Sequence, residues 1–86
     1  MIATTTKNGQ MVRLTADYQL DVEKAVYTVY CNGTEFEFID FAPAARVYKQ
    51  LSRRIEEGDF VGILLHNLVK AARALGYTVR QPNEEM

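Results

Sequence analysis

The step Cys31-Asn32-Gly33-Thr34 lies between two runs of alternating apolar residues, and it constrains this chain more than any other feature. Asn-Gly in that setting is the preferred two-residue loop of an antiparallel hairpin, because both positions tolerate the positive φ of a type I′ turn. A two-residue loop fixes the register on either side: Cys31 faces Thr34, Val29 faces Phe36 and Tyr27 faces Phe38. One hairpin face then carries Tyr27, Val29, Cys31, Phe36 and Phe38. The other carries Val26, Thr28 and Tyr30 beside Glu35, Glu37 and Ile39, and is half polar. Faces this unequal ask for a helical layer on one side only.

Upstream, Val12, Leu14, Ala16, Tyr18, Leu20 and Val22 alternate with Arg13, Thr15, Asp17, Gln19 and Asp21, the period-2 pattern of a strand with one buried face. This strand is expected to begin near Gln10, either continuous or bulged near Ala16-Asp17, and to turn back around Asp21 to Lys24. Residues 1–9, polar, Thr-rich and ending in Asn8-Gly9, and residues 81–86 are expected to be flexible. After Asp40 the period changes. Asp40 can cap a helix with Pro43 in its first turn, where the missing N–H costs nothing. Ala44, Val47, Tyr48, Leu51 and Ile55 recur at helical spacing, and Gly58 is a suitable stop. Asp59 is expected to cap a second helix that buries Val61, Leu64, Leu65, Leu68, Val69, Ala72 and Leu75 and ends at Gly76. Residues 77–80 alternate and could add a short strand. The expected fold is a single small two-layer α+β domain, a three-stranded antiparallel meander followed by two helices (β-β-β-α-α), with a possible short terminal strand.

At 86 residues, 48% hydrophobic and 24% charged, the chain has room for one modest core. A net charge of −1 leaves no global field to hold nucleic acid or anionic lipid, so electrostatic recognition must be local. One cysteine excludes an intramolecular disulfide. The N-terminus lacks a basic stretch followed by an apolar one, and no apolar run approaches a membrane span, so a cytoplasmic protein without membrane attachment is expected. Asn32-Gly33-Thr34 matches the glycosylation acceptor pattern, but the turn already accounts for these residues.

Catalytic signals are weak. His66 stands alone, without zinc-ligand spacing, and reads as a helix-surface or boundary residue. Cys31 reads as a small core or turn-flanking residue, and a Cys–His pair would need the two to meet in a pocket. Glu56, Glu57 and Asp59 surround an inter-helix turn, and Gly58 and Gly62 lack the strand and spacing of a phosphate loop. Neither a metal site, a cofactor site nor an enzymatic activity is expected.

Two surfaces stand out instead. Arg46, Lys49, Arg53 and Arg54 form a basic stripe on the first helix, suited to phosphates or to an acidic protein surface. Glu35 and Glu37 project beside Tyr30 from one sheet face, a poor platform for stacked bases and a possible docking face for a basic partner. The function expected from these surfaces is a non-catalytic protein-binding module, an adaptor or an inhibitor that covers a partner's functional surface, including that of a nucleic-acid-binding protein or complex. Its candidate contact residues are Tyr30, Glu35, Glu37, Arg46, Lys49, Arg53 and Arg54. Compact inhibitors carried by mobile elements, anti-CRISPR proteins among them, are one setting for such a chain, on size alone and on no shared motif. The alternative is direct nucleic-acid binding through the first helix. The surplus of apolar residues over what one thin core hides also points to a homodimer.

Overall fold

In a computed structural model describing residues 2–21 and 23–82, the chain forms a five-stranded antiparallel sheet with two helices on one face. The elements follow in the order β1 (Ala3–Lys7), β2 (Gln10–Gln19), β3 (Lys24–Cys31), β4 (Thr34–Phe38), α1 (Phe41–Glu56), α2 (Gly62–Ala74) and β5 (Thr78–Arg80). Neighbours in the sheet are neighbours in sequence, and β5 returns after the helices to pair with β4.

The Asn32-Gly33 hairpin has the expected register, with Tyr27 opposite Phe38, Val29 opposite Phe36 and Cys31 opposite Thr34. The sheet has five strands where a meander of three was expected: the short terminal strand allowed for at 77–80 is present as β5, and residues 3–7 form a strand where a flexible segment was expected. The cause of that correction is another Asn-Gly turn. Asn8 and Gly9 have φ of 55° and 78°, Asn32 and Gly33 have 49° and 95°, and the first pair closes Lys7 against Gln10 just as the second closes Cys31 against Thr34. The run Ala3-Thr4-Thr5-Thr6-Lys7 is β-branched enough for an edge strand, and its polarity suits an edge that faces water. Tyr48 Oη and Thr5 Oγ1 share a 2.8 Å hydrogen bond, and Lys7 Nζ donates to the Glu56 carbonyl at 2.9 Å, tying β1 to α1.

Alternation along β2 holds, but its burial ends early. Val12 and Leu14 are buried, whereas Ala16, Tyr18 and Leu20 are exposed, Leu20 at 81%. Residues 16–21 of the β2–β3 hairpin are all exposed; Val22 lies outside the described residues. Where the helices do cover the sheet, Val12, Val29, Cys31 and Phe36 meet Leu51 and Ile55 of α1 and Val61 before α2, all fully buried. Helix α1 lies over β1 to β4, and α2 lies against β5 and touches α1 only slightly.

Two helix-start expectations are also revised. Asp40 occupies the N-cap position of α1 without a side-chain cap hydrogen bond. Asp59 does not cap α2, which begins after Val61. The buried side chain of Gln10 takes over at this junction: Nε2 donates to the Asp59 carbonyl at 2.7 Å, and Oε1 accepts from the Val61 N–H at 2.9 Å. An amide can hold a donor and an acceptor together, as a carboxylate at Asp59 could not. The expected seven-residue apolar stripe of α2 also divides. Val61, Leu65, Val69 and Ala72 are buried, Leu64 and Leu68 are half-buried, and Leu75 is 75% exposed.

Candidate protein-binding surfaces

The sheet face away from the helices is organised by its register. One cross-strand row runs Thr4, Arg13, Tyr30, Glu35, Arg80, and the next runs Thr15, Thr28, Glu37, Thr78. Arg13 lies over the Tyr30 ring, 5.7 Å from its centroid. Arg80, delivered by β5, pairs with Glu35 at 3.3 Å and with Glu37. Arg13, Lys24 and Arg80 balance Asp17, Glu35 and Glu37 on this face, so the surface expected to be acidic is close to neutral. The sequence fragment 77–80 could not reveal this by itself, because the sign of the face depends on which strand β5 joins.

Arg46, Lys49, Arg53 and Arg54 are all exposed, on the opposite side of the molecule from Tyr30, Glu35 and Glu37. The structure therefore does not gather the seven candidate residues into one site. Arg46, Lys49 and Arg53 point away from the buried Ala44, Leu51 and Ile55. Among the described residues, none of the four basic side chains has an ion pair or hydrogen bond.

The surface that sequence reasoning missed lies between the helices. A groove of ≈ 230 Å³ is walled by Pro43, Arg46, Val47 and Gln50 of α1 and by Leu68, Ala71 and Leu75 along α2, with Phe38 and Tyr77 at its base. Those two rings meet edge to face at 4.8 Å, which makes the base rigid. The groove continues around Leu75 and Tyr77 into a second depression beside Val26, Glu37 and Ile39, where Ile39 is 65% exposed. Arg46 thus borders this apolar region on one side and Glu37 on the other. The signal for it was present in the sequence. The apolar arc of α2 holds seven positions in 61–75, more than one helix-to-sheet contact uses, and the surplus had to lie against α1 or against nothing.

The remaining candidates are Cys31 and His66. Cys31 is fully buried beneath the helices, and desolvation pushes its thiol up from 9.0 to about 11, so it stays protonated at neutral pH. His66 is exposed on α2, and no hydrogen bond joins it to Cys31. Among the described residues no group of three or more His, Cys, Asp or Glu side chains could hold a metal ion, and no helix is long and apolar enough to cross a membrane. No family model matches the chain, and neither a curated protein nor a solved structure matches it.

Proposed function

We propose that this chain is a non-catalytic protein-binding module, an adaptor or inhibitor that covers a partner's working surface, and that it does so through the groove between α1 and α2. The observation that carries this reading is the open apolar groove itself, with a base of interlocked rings and Leu75 and Ile39 standing exposed at its end. A contiguous apolar depression on a folded domain of this size marks an interaction site more often than a chance of packing. Specific interfaces bury an apolar centre inside a polar rim, and Arg46, Gln50 and Glu37 supply such a rim here.

The test is affinity capture from the organism that makes the protein, comparing wild type with Leu75→Asp, Ile39→Asp and a Glu35→Gln/Glu37→Gln double variant. The proposal expects proteins retained by wild type and by the glutamate variant, and lost with either aspartate. Retention that survives both aspartates would move the site elsewhere, and an absence of retained protein together with metabolite turnover would replace the reading with an enzyme.

Direct nucleic-acid binding through α1 is the second reading. It is favoured by the four unpaired cations on the outer side of α1, far from the sheet carboxylates, which Arg80 already engages. Anisotropy titrations of generic duplex and single strands at ~50 mM and ~200 mM salt distinguish the two, since phosphate contacts lose affinity steeply over that interval. Submicromolar binding that falls with salt and with Arg53→Glu would establish the second reading over the first.

A further inference from the structure

Resting on the protein-binding reading, we infer that the occupant of the α1–α2 groove is an acidic amphipathic helix of a partner protein. The α2 wall of the groove is a ridge of Leu68, Ala71 and Leu75, at spacings of three and four residues. That is the 3.5-residue period by which one helix receives the apolar side chains of another, and from Leu68 to Leu75 it runs for two turns, about 10 Å. Ala71 and Leu75 stand exposed on this ridge, and Leu68 is half-buried where it packs on the core.

Charge decides between occupants. Helices α1 and α2 carry six cations, Arg46, Lys49, Arg53, Arg54, Lys70 and Arg73, against one carboxylate, Glu56, at the last residue of α1. Arg46 lines the groove, and Arg54 continues the row Val47, Gln50 by helical spacing. A second copy of this chain would bring the same cations against these, a like-charge contact that opposes closure. A helix with leucines on one face and glutamates on its flanks places opposite charge beside Arg46 and Arg54 on the α1 wall while its apolar face fills the groove.

The experiment is a titration of the ¹⁵N-labelled full chain with a 14-residue helical peptide bearing Leu at positions i, i+4, i+7 and i+11 and Glu at the flanking positions. A second peptide carries Lys in place of each Glu. The Glu peptide should shift the amides of Leu68, Ala71, Leu75 and Val47 and bind at least tenfold more tightly than the Lys peptide. Arg46→Glu/Arg54→Glu should reduce that affinity about tenfold, the worth of two exposed ion pairs, and raise that of the Lys peptide. Leu75→Asp should abolish binding of both.

Groove shifts with equal affinity for the two peptides would overturn the acidic partner but leave the groove as a protein-binding site. A dimeric mass in sedimentation that Leu75→Asp reduces to monomer would overturn it in favour of a second copy. A duplex oligonucleotide that shifts the same amides at lower concentration would overturn it in favour of nucleic acid. No groove shift with either peptide, together with capture that Leu75→Asp leaves unchanged, would overturn both this inference and the groove as the site of action.

Discussion

Gln10 holds the junction between the helices, and its removal gives a direct measure of how that junction is built. Its side chain makes two hydrogen bonds to backbone groups of the loop, to the Asp59 carbonyl at 2.7 Å and from the Val61 N–H at 2.9 Å, the second of them buried. In Gln10→Ala both bonds are lost and the Val61 N–H is left without a partner away from water. Two net hydrogen bonds at about 1 kcal/mol each, plus part of the desolvation penalty of the orphaned donor, give a loss of roughly 2–4 kcal/mol. At ~0.05–0.15 kcal/mol per residue a domain of 86 residues has about 4–13 kcal/mol in all, so the variant should remain folded but lose a large share of its margin. Gln10→Glu sharpens the argument. Its carboxylate can accept from Val61 but can only repel the Asp59 carbonyl, whereas the protonated acid donates to that carbonyl and restores the arrangement. The folded state therefore binds the proton more tightly than the unfolded chain, whose glutamate titrates near ~4.3. The stability recovered by protonation is fully present below that value and is lost as pH rises through the higher folded value. The assay is urea unfolding followed by far-ultraviolet circular dichroism from pH ~3.5 to ~7.5, with every value read as a difference from wild type. A loss below ~0.5 kcal/mol in Gln10→Ala, or a Gln10→Glu deficit that does not grow with pH, would refute the reasoning.

Three further outcomes follow from the same structure. Gly9 and Gly33 occupy equivalent turns at φ of 78° and 95°, but a Cβ on Gly9 meets nothing within 4 Å while one on Gly33 would come 2.8 Å from Pro82 Cγ. Gly9→Ala should cost about 1–2 kcal/mol of left-handed strain and Gly33→Ala measurably more, and equal thermal shifts for the two would contradict this. Burial raises the Cys31 thiol from 9.0 to about 11, so above pH 9 the unfolded chain releases a proton that the folded chain retains. Wild-type stability should then decline between pH 9 and 11 by about 2 kcal/mol more in all than that of Cys31→Ala, and parallel curves would show that the thiol is not desolvated. Arg80→Ala removes exposed pairs to Glu35 and Glu37 and should cost less than ~1 kcal/mol, with the difference from wild type shrinking at high salt; a larger, salt-independent loss would mean that Arg80 holds β5 by packing.

Local rules carried much of the fold. The Asn32-Gly33 turn dictates a two-residue loop, and that loop fixed which face Phe36, Phe38 and Val29 share, because side chains alternate strictly along a strand. The change of period after Asp40 placed both helices for the same reason. Asn8-Gly9 obeyed the rule already applied at Asn32-Gly33, and β1 was overlooked because its threonines carry no apolar alternation. An edge strand that mostly faces water does not need one.

What no local rule contained was how far each layer reaches. Tyr18 and Leu20 alternate like Val12 and Leu14, yet they stand exposed where Val12 and Leu14 are buried. The neutrality of the sheet face depends on Arg80 arriving beside Glu35 and Glu37 from 43 residues away. The capping of the α2 entry came from Gln10, 51 residues distant, when Asp59 next to the helix looked sufficient. The groove is the same kind of fact. Leu68 and Leu75 are apolar at helical spacing whether or not anything covers them, and only the placement of α1 and α2 in space leaves a groove beside them.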